Sequence, residues 1–181
     1  MKPRSWSRWP AYSPACRRDM QRLLRDGTSL TALRANPALG PAPREGSWCW
    51  KLERLAKAQT GREAIACVNA TLGLTAALTA LDLPHRSEVA TTAFTFSATV
   101  AAILHAGVQP VFFDVHPERM TMDFDLVRGL QPEMKAALPV DLFGRVHRAG
   151  WAVPGVQDAC QAVGSEGAGA KAPGDLVVWS F

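Results

Sequence analysis

Short apolar runs alternating with helical patterns make this chain an α/β protein with a mostly parallel, doubly wound sheet. Two observations carry that expectation. Strand-like and helix-like segments follow one another in strict turn past residue 45, and the run Pro110-Val111-Phe112-Phe113-Asp114-Val115 is apolar enough for a strand buried on both faces. With 181 residues, 48% of them hydrophobic and 20% charged, the chain suffices for one core.

The elements follow in order. Residues 48–59 place Trp50, Leu52, Leu55 and Ala56 at mixed three- and four-residue spacing, and Thr60-Gly61 closes the helix. The run Ala64-Ile65-Ala66-Cys67-Val68 predicts a first strand. Asn69-Ala70-Thr71 turns it into a helix with Leu74, Leu78 and Leu81 on its apolar face, capped by Asn69 or Thr71. Residues 88–92 form a second strand, 97–106 an alanine-rich helix ended by Gly107, and 110–115 a third strand. Asp123 caps a helix reaching about residue 130, and strands are expected at 136–140, 153–157 and 176–179. One crossover is short: only residues 145–152 separate Gly144 from Val153, so its helix is vestigial or missing.

Charge divides the chain into two parts, a basic Pro/Arg-rich segment over 1–45 and a folded domain over 46–181. Net charge is +4, yet residues 1–45 hold nine Lys/Arg against three Asp/Glu, a balance of +6 that leaves −2 for the rest. Trp6, Arg8 and Trp9 interleave rings with cations, but no nucleic-acid motif accompanies them, and no nucleic-acid partner is expected. The four cysteines lack CxxC spacing, and the four histidines lie far apart, so reduced cysteines and no metal site are expected. Asp123-Phe124-Asp125 has the form of a metal-binding DxD but precedes a helix, where its carboxylates serve as caps. The Gly-rich stretch 164–174 lacks the Lys-Ser/Thr of a phosphate loop. Neither a signal peptide nor a membrane span is read, giving a cytoplasmic protein.

Four motifs stand in a fixed order: Val68-Asn69-Ala70-Thr71, Phe94-Thr95-Phe96, Asp158-Ala159-Cys160-Gln161 and Trp179-Ser180-Phe181. In that order they resemble the DegT/DnrJ/StrS family of pyridoxal-phosphate (PLP) dependent aminotransferases. The resemblance covers the front part of a family member. It implies an incomplete PLP-transferase large domain of the aspartate-aminotransferase type (fold type I) and an activity on keto-sugar nucleotides with an amino donor such as glutamate.

The resemblance also assigns roles. Ala70 and Thr71 match the turn that holds the cofactor phosphate, where a helix N-terminus favours anions. Phe96 matches the ring that stacks on the pyridine, while Phe94 is read as core. Asp158, at a strand end, matches the carboxylate that keeps the pyridine nitrogen protonated, with Gln161 beside the phenolic oxygen. Ser180 matches a phosphate-binding serine. The Schiff-base lysine is expected about five residues after it, beyond Phe181, so no catalytic lysine is assigned here. Lys171 lies before the last strand and does not replace it. Asp141 stands where the family usually has His, changing the charge near the site.

Two readings stay open. One is an aminotransferase truncated before its lysine; a minority of the family carries histidine there and acts as a dehydratase. The other is a non-catalytic remnant, or a half-domain that pairs with a complete homologue, since family sites form across a dimer interface. The family's antiparallel strand and small C-terminal domain are expected from sequence beyond Phe181.

Overall fold

The structure, a computed structural model, describes residues 44–128, 134–147, 153–165 and 176–180. Most of the basic segment therefore lies outside the described residues, as do Lys171 and most of the short crossover. Among the described residues the helices and strands are α1 (Trp48–Thr60), α2 (Ala70–Ala80), β1 (Glu88–Thr92), α3 (Ser97–His105), β2 (Gln109–Phe113), α4 (Phe124–Arg128), β3 (Ala136–Ala137), β4 (Val156–Asp158) and β5 (Leu176–Val178), with a 3-10 turn at Leu142–Gly144.

Every pairing between these strands is parallel. β1 lies between β2 and β3, with Val89 opposite Pro110 and Ala136, and Ala90 opposite Val111 and Ala137. β4 pairs with β5. Parallel bridges Ala137 to Gly155 and Val140 to Asp158 join the two groups, so the spatial order is β2-β1-β3-β4-β5. The expected strand over 136–140 is thus two residues of ladder and a bridge at Val140. Pro139 lacks an N–H, and its carbonyl accepts from Asp158 N.

Alternation along the strands sorts side chains onto two faces. Val89, Ala136, Leu138, Val156 and Val178 meet Leu74, Ala77 and Leu78 of α2 and Ala102 and Ile103 of α3. Ala90, Phe113 and Ala137 meet Met122, Phe124, Val127 and Met134 on the opposite face. A sheet covered on both sides by helices is the doubly wound arrangement the sequence predicts.

Four expectations are corrected. No strand forms over 64–68: the run finds no neighbouring strand among the described residues, and the amide of Ala66 donates instead to Glu53 Oε1 at 3.0 Å. In α1 the buried residue is that glutamate, while Leu52 and Leu55 are exposed, because Glu53 turns inward to accept from Ala66 N. β2 is not buried on both faces. It has a neighbour on one side only among the described residues, and Phe112 is half exposed. The strand at 153–157 is shifted to Val156–Asp158, since Pro154 cannot donate to a ladder. Asp123 does cap α4, accepting from Asp125 N at 3.1 Å.

Among the described residues no helix is long and apolar enough to cross a membrane, and no group of three metal-ligating side chains gathers. Cys49, Cys67 and Cys160 are free thiols.

Candidate functional site

Because the strands are parallel, their carboxyl ends share one edge, where side-chain and loop groups gather. Phe94 to Phe96 follow β1, Asp141 to Gly144 follow β3, Asp158 to Gln161 close β4, and Trp179 and Ser180 follow β5.

The N-terminus of α2 is built by Asn69, whose Oδ1 accepts from Leu72 N at 2.9 Å. The amides of Ala70 and Thr71, in the first turn, have no carbonyl partner within the helix. Gly73 sets how closely this turn lies on the sheet: a Cβ there would stand 3.1 Å from both Val178 Cγ1 and Cys67 Sγ. The helix start therefore lies directly against β5, two residues before Ser180.

Phe96 is the N-cap of α3, with extended backbone (φ −75°, ψ 145°) and a ring 69% exposed. Phe94, read from sequence as core, is instead exposed and meets Phe143 edge-on, with ring centroids 6.1 Å apart. A shallow groove of about 480 Å³ opens beside it, lined by Thr92, Ala93, Phe94, Phe112, Phe113 and Asp114. It sits toward the β2 edge, away from Asp158.

Asp158 is a buried carboxylate on this edge, only 5% exposed. Thr99 Oγ1 donates to its Oδ2 at 2.7 Å, and Cys160 N donates to its Oδ1 at 3.2 Å. Neither oxygen pairs with a Lys or Arg among the described residues. Both donors are neutral, so among the described residues the charge is solvated by dipoles alone. Burial, with the Asp158 charge next in importance, pushes the neighbouring Cys160 thiol well above its ordinary range. That cysteine is inert rather than nucleophilic.

Gln161 is exposed, and its Oε1 accepts from Phe143 N at 3.2 Å. Phe143 holds this bond in a left-handed conformation (φ 56°, ψ 31°), costly for a residue with a Cβ. Asp141 lies on the other face of the sheet from Asp158. It is fully buried, with Oδ1 accepting from His147 N and Oδ2 from Gln157 Nε2. Burial raises its carboxyl to about 6, assisted by the charge of Asp158 and opposed by those two hydrogen bonds.

Thr99 and Gln157 were not singled out from sequence. A threonine in an alanine-rich helix carries no local mark of a partner 59 residues away. The alternation in Val156-Gln157-Asp158 does place a polar side chain at a buried position, and that was the available signal.

A model of the DegT/DnrJ/EryC1/StrS aminotransferase family matches residues 44–181. The chain belongs to that family. Among curated relatives, a pleiotropic regulatory protein of Geobacillus stearothermophilus is 35% identical over 72% of this chain and 38% of its own length. The UDP-2-acetamido-2-deoxy-3-oxo-D-glucuronate aminotransferase of Pseudomonas aeruginosa is 29% identical over 81% of this chain and 40% of its own. The crystal structure of NtdA from Bacillus subtilis with bound cofactor PMP superposes with a TM-score of 0.63 at 25% identity, covering 95% of this chain and 41% of that one. The chain thus spans about two fifths of the length of these relatives, and its α/β fold is part of a fold type I domain.

Proposed function

We propose that this chain carries the cofactor-holding portion of a PLP-dependent aminotransferase acting on keto-sugar nucleotides. The observation that carries the reading is Asp158: a buried carboxylate at a strand's carboxyl end, solvated by two neutral donors and with no Lys or Arg partner among the described residues. Such a group is satisfied by a ligand that brings a positive N–H, and a protonated pyridine nitrogen does so. The surrounding residues fit the rest of a phosphorylated pyridine. Ala70 and Thr71 offer amides and the positive end of α2 to the phosphate, and Ser180 on the adjoining β5 end offers a hydroxyl. Phe96 presents an exposed ring for the pyridine face. Gln161, its Oε1 engaged by Phe143 N, has its amide Nε2 left to donate to the phenolic oxygen.

When bound, the cofactor supplies an electron sink for moving an amino group between donor and keto-sugar. The chain's own part is to hold the ring by its face and its nitrogen, and to keep a proton on that nitrogen through Asp158. A second subunit, identical or a longer homologue, belongs to the same reading, supported by the exposed rings of Phe94, Phe96 and Phe143 on this edge. The cytoplasm is the compartment we propose for it.

Pyridoxamine phosphate (PMP) tests the site, because its binding needs no lysine. Titration followed by the cofactor's fluorescence is expected to saturate, and Asp158→Asn to weaken binding at least about tenfold, the scale of one charge-assisted hydrogen bond. Equal affinity of Asp158→Asn and the unchanged chain would refute the assignment.

A further inference from the structure

We infer that Thr99 is a positioning residue that fastens two cofactor-facing groups, Asp158 and the backbone bearing Phe96, to each other. The inference rests on the cofactor reading above and extends it to a residue that need not touch the ligand.

Thr99 is wholly buried, and its Oγ1 lies 2.7 Å from Asp158 Oδ2 and 2.7 Å from Thr95 Oγ1. A hydroxyl has one proton, and an ionised carboxylate only accepts. With Asp158 ionised, Thr99 must donate to it and accept from Thr95, so the charge fixes the direction of the whole chain, Thr95 to Thr99 to Asp158. Thr99 is bound to the same loop a second time, because its backbone N donates to Phe96 O at 3.1 Å. One residue therefore ties the β1–α3 loop to the end of β4. Cys160 N holds the other carboxylate oxygen, which leaves the carboxyl plane little freedom to turn.

The helical threonines nearby show what a hydroxyl does when nothing else is asked of it. In α2, Thr75 and Thr79 each donate to the carbonyl four residues earlier, Thr71 O and Thr75 O, at 2.8 Å. Thr99 stands in the first turn of α3, where the carbonyl four residues earlier belongs to Thr95 outside the helix, and its hydroxyl reaches a carboxylate on another element. Valine would fill the same space in a purely apolar contact, so the hydroxyl is there for Asp158 and Thr95.

PMP titrations of the full chain between pH 5.5 and 9 test this. Thr99→Val is expected to weaken binding about tenfold and to narrow the pH range over which PMP binds, whereas Thr99→Ser restores affinity to within about threefold. In an Asp158→Asn background, Thr99→Val should add less than about twofold, because the coupled partner is gone. Thr95→Val, at a half-buried position, tests the same chain if Thr99→Val does not fold, and is expected to weaken binding about threefold. If Asp158→Asn loses PMP while Thr99→Val and Thr95→Val keep both affinity and pH profile, Thr99 is a packing residue and the inference is overturned. If Asp158→Asn itself binds normally, the cofactor reading falls first and this one with it.

Discussion

Asp141 shows how far a single carboxyl can be carried from its aqueous behaviour by position alone. It is fully buried, receives hydrogen bonds from His147 N and Gln157 Nε2, and titrates at about 6. Its folded value lies above the unfolded 3.8, so between these limits the folded state binds more protons and stability falls as pH rises. The contribution vanishes below about pH 4 and reaches its full cost, on the order of 2–3 kcal/mol, above about pH 6. Asp141→Asn should therefore raise urea stability at pH 7.5 and flatten its change between pH 4.5 and 6.5. The added amide has a partner waiting, since buried Gln157 Oε1 accepts no hydrogen bond and a turned Gln157 side chain would present it. Unchanged pH dependence in the variant would show that another group titrates. The sequence marked Asp141 as unusual but placed its effect at the cofactor. Strand alternation puts it on the opposite face from Asp158, and only register reveals that.

At the level of elements, α2 joins the core to the site. Its inner side buries Leu74 and Leu78 almost completely, while its first turn meets β5 at Gly73. Leu78→Ala removes buried surface far from the carboxyl edge and is expected to cost about 2–5 kcal/mol in chemical denaturation. A loss below about 1 kcal/mol would mean that α2 is not anchored as described. The helix was legible because its cap, apolar spacing and length agree with one another. The run 64–68 was misread for a matching reason: apolar β-branched content marks a segment able to pair, but a strand exists only where a neighbour supplies the ladder. Here Glu53 takes the Ala66 amide instead. The buried face of α1 was missed because a glutamate beside Lys51, Arg54 and Lys57 reads as part of a solvent-facing charged side.

Across the whole molecule, the sheet is closed by helices on both faces but not at β2. Phe112 stands half exposed on a strand with one neighbour among the described residues, an arrangement that invites edge association. Phe112→Lys is expected to lower concentration-dependent light scattering while moving the thermal midpoint by less than about 2 °C, and a large midpoint drop would show that Phe112 is core. The alternation of strands and helices determined the α/β class and the parallel sheet, and the order of four motifs pointed by resemblance to the family, because periodicity and motif order are local properties written along the chain. The resemblance named Phe96, Asp158, Gln161 and Ser180, and parallel strands, which put their carboxyl ends together, explain why they gather on one edge. Tertiary structure alone decided what each of them touches: Thr99 on Asp158, Phe143 on Gln161, and Asp141 turned away behind Gln157. Hydrogen bonds between residues far apart in sequence depend on register and on which face a side chain takes, and neither is fixed until the strands have paired.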